Sequence, residues 1–403
     1  MIQQSGETSV PVADLLGEHP FEVFAQLRND APVCYVAEID TWMLTRYSDC
    51  VEVLEDPARY SSAYAAPPLD KVLEPEILQI LIKSGEPGNH VVQTDPPDHA
   101  AMRSIAQGLF HGKRINNTIP FMRETADKLI DQFLPSGTAD LVAQFALPYV
   151  QTVLSSIAGV PDDRAPLMAE GNEAFLLLMT PTATLEQKVV AAHKFVEYEL
   201  AIGELLAEKR ANPGDDMISD LVTGPPLPEP DARMFVKGLY AGGIHTTCDA
   251  ITSTVFALLG SATHWTEAKE NPSMARGLLE ETLRRDAPHR GLLRVTTEPV
   301  RLAGVELPAG AKVLPMLGAA NRDPAIFGDP DAFVPGQREN MRDHLAFGHG
   351  IHRCVGAPLA RAEGRVALEA LTSRLPLPRT ATEELSHYPA FYFWGLAALP
   401  IAW

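Results

Sequence analysis

The amino-acid sequence predicts a mainly α fold with small β-sheets, and three observations carry that prediction. Apolar residues recur at helical spacing through most of 98–286. Short β-type runs are confined to the early chain, to 292–314 and to the tail. No repeat and no low-complexity linker divides the 403 residues, so a single domain over 1–403 is expected.

Taken in order, residues 1–20 read as an arm. Phe21, Val23, Phe24 and Leu27 then fall at helical spacing. The runs 33–36 and 42–45, around Glu38, Ile39 and Asp40, predict a hairpin. Residues 48–54 follow as a helix capped by Ser48 or Asp49. The block 61–94 contains Pro67, Pro68, Pro75 and Pro87 and one apolar run, 77–82. A loop of that length inside a compact domain is usually functional or mobile. From 98 to 221 the pattern is helical, with breaks expected at Pro120, Pro135, Pro161, Pro181 and Pro213. After the Pro-rich segment 224–230, one long helix is expected over 231–262, and more helix to Asp286. The β-type stretch 292–314 turns at Pro308, Ala309 and Gly310. A last helix covers 358–374, and the tail 388–403 reads as strand.

Composition narrows the function. There are 33 Lys and Arg against 52 Asp and Glu, a net charge of −19, which argues against a general nucleic-acid or anionic-membrane binder. Cys34, Cys50, Cys248 and Cys354 are too few and too scattered for a disulfide framework. Residues 1–20 carry no charged start followed by an apolar run, and no stretch reaches the roughly 18 apolar residues that span a bilayer. A cytoplasmic protein is expected.

The segment 347–361 holds the densest chemistry. Gly348, Gly350 and Gly356 surround Cys354, and Pro358 suits the first turn of a helix. Cys354 thus precedes a helix N-terminus, where free amide N–H groups stabilise a thiolate that can ligate iron. Two other readings of the same residues are a buried cysteine in a Gly-rich turn and a zinc site of His349, His352 and Cys354. The zinc reading lacks a nearby fourth ligand.

Phe347, Gly348, Gly350, His352, Arg353, Cys354, Gly356 and Ala360 together resemble the haem-binding signature of the cytochrome P450 family. The resemblance implies a triangular, helix-rich fold with a smaller β-rich part, and haem b (iron protoporphyrin IX) bound through Cys354 as the metal ligand. It implies that Phe347 shields the sulfur and that His352 reaches a haem propionate. Glu281 and Arg284, three apart on one helix, resemble the family's Glu-x-x-Arg motif, with Arg338 as the third member of a structural charge network. Asn321 to Pro324 and Phe327 to Phe333 resemble the region between those motifs. Arg294 matches a position that pairs with a propionate, and His99 and Arg103, four apart, point the same way toward it.

Two glycines and two threonines interrupt the long helix at Gly242, Gly243, Ile244, His245, Thr246 and Thr247. The resemblance places this segment over the cofactor, with Gly243 giving close approach and Thr246 bonding the bound dioxygen or its water. His245 stands where the family usually has an acid, and a histidine can relay protons near neutral pH. Trp394 stands where the family usually has Arg before Gly395. Phe175, Leu178, Leu293 and Phe391 are expected to line an apolar substrate pocket.

The implied activity is a monooxygenase that inserts one atom of O2 into a hydrophobic or aromatic small molecule, by hydroxylation or oxidative dealkylation. Electrons would come from a ferredoxin or flavodoxin-type donor with its NAD(P)H reductase. Arg103, Lys113, Arg114, Arg353, Arg361 and Arg365 are candidates for docking that acidic donor. Alternatives are a hydrogen-peroxide-driven peroxygenase, a non-redox haem-thiolate isomerase or dehydratase, and a non-catalytic haem-binding sensor or accessory protein.

Overall fold

The computed structural model describes residues 10–16, 20–65, 73–180, 183–382, 384–388 and 392–403. Helices dominate, and the largest apolar core runs between them from Leu73 to Ile401. The helices Gly112–Phe133, Leu147–Ala158, Leu185–Ala211, His245–Leu259, Ala275–Arg285 and Ala357–Arg374 each present an apolar side to it.

Three small sheets lie beside this core. The five-stranded one has the order Val33–Val36, Thr41–Leu44, Lys312–Pro315, Arg294–Thr296, Tyr60–Ser61. Its first pair is the expected hairpin, with Val33 opposite Leu44. Thr41–Leu44 and Lys312–Pro315 run parallel, which ties the start of the chain to a strand some 270 residues later. The tail contributes less strand than its sequence suggests. Among the described residues of the tail, only Pro400–Ala402 pairs as a strand, between Thr138–Asp140 and Arg379–Thr380, and Phe393 and Leu396 form isolated bridges.

Several local expectations are corrected. The early helix spans Tyr47–Glu55 and has no side-chain cap of its own, so Ser48 and Asp49 lie inside it. The carboxylate of Asp323 accepts the Tyr47 N–H at 3.0 Å and serves as the cap from outside. Pro120 does not break its helix, which continues through Gly112–Phe133. The carbonyl that Pro120 leaves without a donor belongs to Asn116, an exposed residue that water can satisfy. The expected long helix is two, Glu229–Gly243 and His245–Leu259, meeting at Ile244.

One buried charge network holds the loop before Cys354. Glu281 and Arg284 have no exposed side-chain area, and the guanidinium grips the carboxylate through two bonds of 2.9 Å. Arg338 adds a third bond to Glu281 at 3.1 Å, and the Val334 N–H donates to the same oxygen. Arg284 also donates to the carbonyls of Asn321 and Pro330, and Arg338 to those of Asp329 and Ala332. Asn321 in turn accepts the Leu345 N–H at 2.6 Å. The network therefore reads backbone positions along 321–345 rather than side chains.

Breaking one partner of a buried pair strands the other charge. Arg284→Ala is expected to lower the unfolding free energy by roughly 3–5 kcal/mol. A urea unfolding midpoint equal to that of the native protein would contradict this account of the loop.

Candidate haem-thiolate site

Cys354 lies between a short 3-10 turn, Gly350–His352, and the helix Ala357–Arg374. Its N–H donates to the Phe347 carbonyl at 2.7 Å, closing the loop on itself. Two glycines make this path available. Gly348 has φ +70° and Gly350 φ +68°, both in the region that side chains disfavour. A Cβ on Gly350 would stand 2.2 Å from the Leu54 carbonyl oxygen, so the loop presses on the early helix with no room for one.

The Cys354 thiol is accessible, although protein surrounds it closely enough for desolvation to dominate its acidity. Burial raises it, and the N–H groups of Gly356 and Ala357 pull it back, followed by the charges of Arg103 and Arg361. The helix N-terminus thus aims its unused donors at the sulfur. Phe347 lies under the Arg361 guanidinium at 4.4 Å from the ring centre, and tilts against His344. Arg361 and His344 both bind Glu280. Burial alone would raise that carboxyl, but these two partners hold it down to about 2.

His99, Arg103, Arg294 and His352, distant in sequence, act on one another here. The rings of His99 and His352 stand 4.4 Å apart. Burial lowers the His352 imidazole to about 3, and Arg294, His99 and Arg103 add to the shift as like charges. Burial likewise lowers Arg294 to about 10, and it lowers His99 and Arg103 too. Nε2 of His99 is buried without a partner. Among the described residues, the carboxylate that opposes these groups is Asp95. Ser62 donates to it through N–H and hydroxyl at 2.9 and 2.8 Å, and Ser61 also donates to it. The Ser62 hydroxyl lies 2.9 Å from His352 Nε2. Such a cluster is short of negative charge. A porphyrin with two propionates and an iron that accepts a thiolate supplies what it lacks, so the residues present fit haem b.

In the broken helix, the Thr246 hydroxyl donates to the Gly242 carbonyl at 2.6 Å, across the break at Ile244. That bond lies where the two helices meet and competes with the helical ladder. The glycine that faces open space is Gly242. Gly243 packs on Leu154, 3.2 Å from where its Cβ would be. His245 Nε2 is 2.7 Å from a Glu173 oxygen on the helix Ala165–Leu178.

The expected substrate contacts fare differently. Phe175 stacks on Phe195 with ring centres 5.7 Å apart, and Leu178 is core. Leu293 packs against the N-terminal cluster of Leu15, Phe24 and Met43. These three positions read as apolar only, and that property does not separate a pocket wall from a core. Phe391 lies outside the described residues. Trp394 has an evident role: it stacks on His387 at 3.6 Å, meets Phe21 edge-on and lies under Arg290.

Among the proposed docking charges, Arg114 is buried and paired with Asp220 and Asp215, and Arg365 is paired with Glu369. Arg103 acts on Cys354. Arg353 and Arg361 line a hollow of about 650 Å3 together with Arg276, Arg342, Met274 and Met341. Sequence reasoning missed Arg276 and Arg342, as it missed Ser62, Glu173 and Asp249, because each becomes distinctive only through a partner far along the chain.

Gly350→Ala is expected to cost about 2 kcal/mol or more, from positive φ and the contact with Leu54. Gly356→Ala, with φ −78° and its nearest neighbour at 3.6 Å, is expected to cost much less. Thermal unfolding of both variants checks the order, and the reverse order would contradict this description of the loop.

The family model described as Cytochrome P450 matches residues 265–377. The chain is 34% identical to cytochrome P450 107B1 of Saccharopolyspora erythraea, over 90% of this chain and 89% of that protein. It is 32% identical to the cytochrome P450 monooxygenase PikC of Streptomyces venezuelae, over 100% of this chain and 96% of that protein. Among solved structures it is similar to P450BioI in complex with an acyl carrier protein ligated to hexadec-9Z-enoic acid. There the TM-score is 0.87 and the identity 28%, over 97% of this chain and all of the other.

Proposed function

The chain belongs to the cytochrome P450 family, and we propose on that footing that Cys354 is the iron ligand through which it works as a monooxygenase. Its cofactor is haem b, and its activity draws on O2, a redox partner and a small-molecule substrate. The observation that supports Cys354 most is the pair of backbone donors, Gly356 and Ala357, directed at one accessible sulfur. When bound, haem b supplies the oxygen chemistry: one atom of O2 enters the substrate and the other leaves as water, with two electrons and two protons consumed.

The chain's own residues do the rest. Cys354 gives electron density from one side, and Phe347, held by Arg361, covers the sulfur. His99, Arg103, Arg294 and His352 take the two propionates and so relieve their mutual repulsion. Thr246 spends its proton on the Gly242 carbonyl, which would leave the hydroxyl oxygen free to accept a hydrogen bond from water. His245, one residue away, relays protons to that place. Glu281, Arg284 and Arg338 keep the loop in register and take no part in chemistry.

An apolar or aromatic substrate suits the fold's largely apolar interior. The electron donor is a ferredoxin or flavodoxin-type protein with its NAD(P)H reductase, in the cytoplasm, where Cys354 stays reduced. Arg276, Arg342 and Arg353 around the hollow beside the Cys354 loop favour an acidic docking face despite the chain's net charge of −19. No helix among the described residues is long and apolar enough to cross a membrane.

Cys354→Ala is expected to abolish the strongly red-shifted absorption of the reduced carbon monoxide complex, and a retained band would remove Cys354 as ligand. Replacing Arg276 and Arg342 by Glu is expected to slow reduction by an acidic ferredoxin about tenfold at low ionic strength, a gap that salt closes. Equal rates at low salt would place the docking face elsewhere.

A further inference from the structure

His245 opens the second half of the broken helix and is followed directly by Thr246. Its side chain is 27% exposed, and its Nε2 is held 2.7 Å from Glu173 Oε1, whose side chain is 49% exposed. The contact joins two helices whose residues are 72 positions apart. Burial alone would lower the imidazole, yet the Glu173 hydrogen bond and charge outweigh it and raise it. The other charged group acting on the ring is Asp249, one turn along the same helix. Tyr388, from the C-terminal segment, donates to Asp249, and burial pushes that carboxyl up to about 7. Near neutral pH Asp249 is thus partly protonated, and Glu173, in direct hydrogen-bond contact, acts on the ring more strongly.

An imidazole with one nitrogen bound to a carboxylate has only the other nitrogen left for exchange. Resting on the reading of His245 as a proton relay, we propose that Glu173 is its positioning residue: it accepts Nε2–H and leaves Nδ1–H as the proton delivered beside Thr246. The geometry is that of a carboxylate that orients an imidazole and stabilises its cation without taking its proton. In each transfer the Nδ1–H bond breaks and the proton moves toward the oxygen side. The neutral ring keeps its Nε2–H bond to Glu173, and water restores the proton at Nδ1. Glu173 stays ionised throughout. Two such transfers match the two electrons that the redox partner supplies per turnover.

The test uses the holoenzyme with Glu173→Gln, Glu173→Asp and His245→Phe. In the reduced carbon monoxide form, with labelled histidine, nuclear magnetic resonance follows the His245 titration. Glu173→Gln is expected to lower its midpoint by about one unit, and Glu173→Asp to keep most of the native value. With a surrogate ferredoxin and its reductase, peroxide released per NAD(P)H oxidised is then read against pH. The alkaline rise in peroxide is expected to move about one unit lower in Glu173→Gln and to return in Glu173→Asp. An unchanged titration and an unchanged pH profile in Glu173→Gln overturn the role of Glu173. If His245→Phe uncouples while Glu173→Gln does not, Glu173 alone falls. If His245→Phe also leaves the peroxide profile unchanged, the relay itself falls.

Discussion

A single sulfur has to be kept accessible at one spot while protein closes around it, and most of the architecture answers to that constraint. The helix Ala357–Arg374 brings unpaired amide N–H groups to Cys354, and the loop before it reaches that point only through two left-handed glycines. A loop so shaped gains little from its own side chains. It is held from behind by Glu281 with Arg284 and Arg338, by Asn321 under Leu345, and by Glu280 under His344. These groups are largely buried and bonded to one another or to the loop backbone, so moving one strands its partner.

The surroundings of two histidines use charge in opposite ways. Around His352 the protein gathers groups that repel each other, with Asp95 alone to offset them, and so stores affinity for an anion. Around His245 it does the reverse, because a local carboxylate favours the charged ring. Two histidines of the same intrinsic acidity are thereby shifted in opposite directions, His352 downward and His245 upward.

What was legible in the sequence follows from what is local. The Cys354 segment, the Glu281–Arg284 spacing and the hairpin 33–44 each carry their signal within a few residues, and the structure places them much as the spacing suggests. Interactions that reach across the chain left no such trace. Asp323 caps a helix 276 positions away, and Glu173 meets His245 over 72. The helix break at Ile244 falls between these cases: Gly242, Gly243 and Thr246 are locally weak, but local weakness does not by itself say where a helix is interrupted. Phe175, Leu178 and Leu293 show the remaining ambiguity, since apolar character marks a core and a pocket wall alike.

The edge of the five-stranded sheet carries one more meaning. Tyr60 pairs with Thr296 and Ser61 with Val295, so a two-residue strand sets how Ser62 stands relative to Arg294. Pleating alternates faces residue by residue, and a slip of one would turn the serine hydroxyl away from Asp95 and His352. The turn at 57–59 is therefore a ruler as well as a connection. Lengthening it by a residue would leave the helical core intact while undoing the anion cradle, which makes this short surface turn a place where the chain cannot drift freely.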